Sequence, residues 1–114
     1  MKHLLYFLFF FMLFHQAITQ PMGTEFQVNN YTIQNQNLPV IAKNLVGNTI
    51  IVWESDGQDG DGAGIFAQCF DSNGDEVGNE FQVNTTTIND QSKPSVAIDS
   101  VGNFMVVWES DGQD

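Results

Sequence analysis

The sequence predicts an all-β fold built from tandem units of 55 residues, and three observations carry that prediction. First, Val52-Trp53-Glu54-Ser55-Asp56-Gly57-Gln58-Asp59 returns unchanged as Val107 to Asp114, an offset of 55 positions. Second, residues 23–59 laid over 78–114 give 22 identities in 37 positions without a gap, a self-match that marks a repeat architecture. Third, no window has helical periodicity, whereas β-branched and aromatic residues gather in short runs bounded by Gly, Asn, Asp and Pro, the signature of strands and turns.

Taken in chain order, residues 1–19 read as a secretory signal peptide. Lys2 and His3 supply the positive start, residues 4–14 are an unbroken apolar run, and Ala17 and Thr19 are small enough for a cleavage site. The run is shorter than the about 20 apolar residues a bilayer crossing needs, and no second run follows. The mature chain is therefore expected to be secreted and not inserted in a membrane. Residues 20–79 form the first unit and 80–114 a truncated second one.

Within a unit, Phe26 and Val28 alternate with Glu25, Gln27 and Asn29, a strand with one wet face that recurs at residues 80–84. A polar loop leads to a strand opened by Pro39, repeated at Pro94, where the missing N–H does least harm. Val46-Gly47-Asn48 is a turn. Residues 49–53 and 104–108 are apolar on both faces, as expected of strands covered from both sides. After the Asp/Gly-rich stretch 55–64, residues 65–70 are again apolar apart from Gln68, and Asn73-Gly74 signals a hairpin. Four strands per unit, with dry inner strands, describe a β-propeller blade. A β-sandwich is the alternative, and a solenoid the third reading. The second unit reaches only the equivalent of Asp59, and closing a propeller takes typically about four to eight blades. The chain is accordingly expected to be the N-terminal fragment of a longer array or a truncated gene product.

Charge narrows the partners. The chain holds 14 Asp and Glu against 3 lysines and no arginine. Removal of Lys2 with the leader leaves a net charge of −12. Nucleic acids and anionic membranes both require clustered basic residues, so neither is expected as a partner. Both histidines, His3 and His15, lie in the leader, which removes Ser-His and Cys-His catalysis from the mature chain. No catalytic residue is predicted and an enzyme is not expected. Cys69, the only cysteine, sits in an apolar run and is expected to be an inert thiol rather than a bridge or reactive group.

Candidate sites are then few. Glu54, Asp56, Asp59 and Asp61 offer hard oxygen ligands on a Gly-rich stretch, suited to Ca²⁺; a solvated turn is the plainer alternative. Asp71, Asn73 and Asp75 have alternate spacing, but Glu76 and Gln82 stand where a calcium loop would need Gly and Glu, so a hairpin turn is the default there. Asn30-Tyr31-Thr32 and Asn84-Thr85-Thr86 match the N-glycosylation pattern. Trp53 and Trp108 could stack on sugars, although their place at the end of apolar runs favours core packing.

Val46-Gly47-Asn48-x-x-x-Val52-Trp53 with its Glu-Ser-Asp-Gly-Gln-Asp-Gly continuation, Gly64-Ile65-Phe66-Ala67-Gln68 and Glu80-Phe81-Gln82-Val83-Asn84 together resemble a tandem repeat of large secreted bacterial and ciliate proteins. There it accompanies cadherin-like or haemolysin-type calcium-binding regions. Members commonly carry a basic residue where this chain has Cys69. The resemblance implies no catalytic residue. Two functions are expected. One is a secreted structural or adhesive module, possible calcium included, meeting protein or glycan partners at the cell surface or associating with itself through an uncovered blade face. The other is a glycan-binding or glycan-hydrolysing propeller-like protein.

Overall fold

Three chain reversals of one chemistry organise the strands. Asn44, Asp71 and Asp99 each begin a five-residue turn whose fourth residue is Gly47, Gly74 or Gly102. The backbone N–H of the first residue donates to the carbonyl of the fifth at 3.0, 2.9 and 2.8 Å respectively. Its side-chain Oδ1 accepts the N–H of the fifth residue at 2.9, 3.0 and 2.8 Å. The glycines have φ of 96°, 85° and 93°, the left-handed conformation that ends this type of hairpin loop and that a side chain would oppose.

In this computed structural model, which describes residues 24–112, these turns join strands into two antiparallel sheets. The first sheet is β1 (Gln36–Lys43), β2 (Thr49–Asp56), β3 (Ala63–Phe70) and β4 (Glu76–Gln82), in that order. The second is β5 (Gln91–Ile98) paired with β6 (Phe104–Ser110). Among the described residues there is no helix. The expected signal peptide, residues 1–19, lies outside the described residues.

β1–β2 and β5–β6 are built alike. Gln36 faces Ser55 as Gln91 faces Ser110, Val40 faces Val52 as Ser95 faces Val107, and Ala42 faces Ile50 as Ala97 faces Met105. Both ribbons slip register at the same place, between Asn37 and Val40 and between Ser92 and Ser95. Pro39 and Pro94 lie inside these bulges. The strands therefore open at Gln36 and Gln91 rather than at the prolines, and each proline occupies a bulge where no ladder N–H is required. Leu38 and Lys93, just before the prolines, have φ of 46° and 52°.

The core lies between the two sheets. Ile50, Val52, Ile65 and Ala67 are fully buried, with Val40 and Ala42 beside them and Val96, Ile98, Val106 and Trp108 packed against them from the second sheet. Strand alternation puts Ile51, Trp53 and Ser55 on the opposite face of β2. The expected double coverage thus holds for β2 and β3, which are buried along nearly their whole length.

The structure departs from the sequence reading at three further points. Residues 25–29, read as a strand, form none, whereas their equivalents at 80–82 end β4. The latter pair with β3, Ala67 opposite Phe81 and Phe66 opposite Gln82; a strand needs such a neighbour. The segment around Phe26 has no ladder partner among the described residues; its ring lies edge-on to Phe70 at 5.8 Å, and the Asn30 N–H donates to Glu80. In addition, β4 runs across position 79/80 and hydrogen-bonds into the first sheet. β6, expected to be dry on both faces, is largely exposed.

Candidate functional site

The Asp/Gly-rich stretch between β2 and β3 is a closed loop, with the Gly57 N–H donating to the Gly62 carbonyl at 2.8 Å. Its acidic side chains fan outward onto different neighbours. Asp59 Oδ2 accepts from Gln82 Nε2 on β4 at 2.9 Å, and its Oδ1 from the Asp61 N–H at 3.2 Å. Asp61 Oδ2 accepts the Asn89 N–H at 3.2 Å. Glu54, which is buried, reaches the other way, Oε1 accepting the Lys93 N–H at 2.6 Å. Asp56 lines a cleft of about 580 Å³ with Gln34, Gly57, Gly62 and Asp90.

The four residues expected to ligate Ca²⁺ are therefore not gathered round one point. Among the described residues no group of three or more His, Cys, Asp and Glu side chains could hold a metal ion. Ca²⁺ takes about six to eight oxygens, and here Glu54, Asp59 and Asp61 already accept amide hydrogens. Asp61 and Glu54 hold the polar segment 84–90 and the bulge of β5 against the first sheet, while Asp59 ties the loop to β4. Asp90 belongs to the same set, its Oδ1 accepting the Ala63 N–H at 2.9 Å.

At the second acidic candidate, Asp71 Oδ1 accepts the N–H of Asn73 at 2.9 Å and of Asp75 at 3.0 Å. That is the hairpin alternative realised: the carboxylate closes the β3–β4 turn. The same geometry recurs at Asp99, whose carboxyl is held below the ordinary carboxylate range. The Asn103 side-chain amide contributes most, burial opposes it, and the backbone N–H groups of Asn103, Val101 and Gly102 add to it.

The two sequon asparagines differ. Asn30 is exposed, its N–H donating to Glu80 Oε2 at 2.6 Å. Asn84 is buried, its Oδ1 accepting the Ile65 N–H at 2.8 Å and its Nδ2 donating to the Thr86 carbonyl at 2.7 Å. In the folded chain Asn84 is buried, with both its amide oxygen and its amide nitrogen hydrogen-bonded. Cys69 is partly buried, and burial pushes its thiol pKa up, which keeps it protonated and slow to react.

Both indoles are anchored in the same way. Trp53 Nε1 donates to Gln36 Oε1 at 3.1 Å, and Trp108 Nε1 to Gln91 Oε1 at 3.0 Å. Trp53 is buried and Trp108 partly so. Sequence reasoning passed over Gln36 and Gln91, although their identity in the self-alignment beside an invariant tryptophan was available as a signal. Asn84 stands in the sequence reading as a sequon and as the end of the 80–84 motif but not as a buried acceptor, and Asp90 carries no repeat mark, since its equivalent is Asn35.

Compared with known proteins, the chain matches no family model, no curated protein and no solved structure.

Proposed function

We propose that this chain is a secreted, non-catalytic structural or adhesive module. Its 55-residue units form small antiparallel sheets stacked face to face, as the blades of a β-propeller stack. The observation that carries the reading is the agreement of β1–β2 with β5–β6, pair for pair and bulge for bulge, with the second ribbon lying on the first sheet. A unit that buries its dry face only against a neighbour of its own kind is the physical basis of repeat scaffolds. The leader-like residues 1–19 support secretion.

The loop carboxylates fit this role as amide acceptors that fasten one unit to the next. On that assignment, neither EDTA nor Ca²⁺ shifts the melting temperature; a rise with Ca²⁺ restores the metal reading. The glycan-active reading finds less support, because Trp53 is buried and Trp108 packs towards the core.

Two measurements test the proposal. Expression in a secretory host should release a chain beginning near Gln20, and retention of Met1 in the product contradicts secretion. A glycan array read together with iodide quenching should show no binding and a protected Trp53. A glycan that binds and shields Trp108 from iodide overturns the structural reading.

A further inference from the structure

The two ribbons differ on one face. In the first sheet Val40, Ala42, Ile50, Val52 and Glu54 lie under the second sheet. Their equivalents, displaced by 55 residues, are Ser95, Ala97, Met105, Val107 and Glu109, which are all exposed among the described residues. Ile50 and Val52 are fully buried, whereas Met105 is 70% and Val107 57% exposed. An apolar strip of this kind, flanked by a carboxylate, marks an interaction surface.

The molecule itself displays what fits such a strip. The covering face carries Val96, Ile98, Val106 and Trp108, and the bulge at Lys93 delivers its backbone N–H to Glu54. Displaced back by 55 residues, that covering face corresponds to Ile41, Lys43, Ile51 and Trp53 on the outer side of the first sheet, with Leu38 at the bulge. This outer side is open along β1, where Ile41 is 65% and Leu38 54% exposed, while Ile51 is half-buried and Trp53 buried. An apolar cleft of about 210 Å³ lined by Val28, Pro39, Ile51 and Trp53 lies there too. Leu38 shares the left-handed backbone of Lys93 (φ 46° and 52°), so its N–H occupies the same position in the bulge.

We propose that the Met105–Val107–Glu109 face docks onto the Leu38–Ile41–Ile51 face of a second copy of this chain. The contact repeats the intramolecular one, with Glu109 accepting the partner's Leu38 N–H and exchanging its exposed ion pair with Lys93 Nζ (2.9 Å) for that bond. Because the two faces are different surfaces, the contact is head-to-tail and extends to further copies. Each copy has a net charge of −11, so like-charge repulsion opposes association and added salt strengthens it. This inference rests on the stacked-unit reading above.

Sedimentation velocity of the full chain over a concentration series at low and high salt tests it, with Val107→Glu and Ile41→Glu as variants. Both positions are exposed, and circular dichroism checks that each variant stays folded. The expected result is growth of the native chain into species larger than dimers, enhanced by salt. Each variant alone should stay monomeric. An equimolar mixture of the two should stop at a dimer, since Ile41→Glu keeps an intact Val107 face and Val107→Glu an intact Ile41 face. Glu109→Gln should weaken growth without abolishing it. A folded native chain that stays monomeric at every concentration and salt overturns the docking while leaving the stacked-unit reading intact. Self-association of Ile41→Glu alone also overturns it, because it indicates a symmetric contact between Val107 faces. Loss of the β-sheet signal in the native chain contradicts the stacked-unit reading itself.

Discussion

Trp53 and Trp108 stand in the same octapeptide, in strands paired in the same register, and donate to the same kind of glutamine. Yet the strand around Trp53 is buried along most of its length, while that around Trp108 is mostly exposed. Identical local chemistry thus produces identical backbone and different burial. What differs is the company: β2 has β3 beside it and the second sheet over it, whereas β6 pairs only with β5. Burial in this molecule is a property of the neighbouring strands and of the sheet laid over them, and the octapeptide encodes only readiness for it.

Matched substitutions sharpen that contrast. Val52→Asp places an uncompensated carboxylate in the dry layer between the sheets and should destabilise the chain by about 3–5 kcal/mol. Val107→Asp on dilute, monomeric protein should change stability by no more than about 0.5 kcal/mol. Urea unfolding followed by tryptophan fluorescence checks both, and similar costs at the two positions break the comparison.

The next pair is Glu54 and Glu109. Glu54→Ala removes the acceptor of the Lys93 N–H across the two sheets and should cost about 1.5–3 kcal/mol, the range for a hydrogen bond to a charged group. Glu109→Ala removes an exposed ion pair with Lys93, and its effect in the same titration should be negligible.

The smallest effect concerns the turns. Asn44 and Asp99 close equivalent hairpins with the same Oδ1 geometry, so Asp99→Asn should keep the turn and lose near neutral pH only the exposed Asn103 side-chain bond to Oδ2. Its effect lies in acid. The folded-state pKa of Asp99 is depressed, chiefly by Asn103. The stabilisation it brings is present above its unfolded pKa of about 3.9 and is lost as pH falls through the lower folded value. Asp99→Asn should therefore lose less stability than the native chain in melts between neutral pH and strong acid. Equal loss in both removes Asp99 from the acid response.

These contrasts also show what was legible beforehand. Alternation and turn residues located the backbone of β2, β3, β5 and β6, because a strand's local pattern is set by its own side chains. Which sheet a strand joins was not legible in the same way. Glu25-Phe26-Gln27-Val28-Asn29 and Glu80-Phe81-Gln82-Val83-Asn84 are identical, yet residues 80–82 pair with β3 and residues 25–29 pair with nothing. The turn alternative read for Asp71 could be weighed from spacing, since its partners lie two and four residues away. The role of Glu54 could not, because its partner is 39 residues distant and meets it only once the sheets are packed.

The central claim, that an apolar strand here is buried by the sheet laid over it and not by its own sequence, is tested most directly by laying a further sheet over β6. A chain extended past Asp114 by a further run of residues 60–112, keeping the 55-residue period, gives β6 equivalents of both β5 and β6, the covering that β2 has. In that chain Val107→Asp should become as destabilising as Val52→Asp in urea unfolding. If Val107→Asp stays as harmless as in the parent chain while the extension is folded, the account is contradicted.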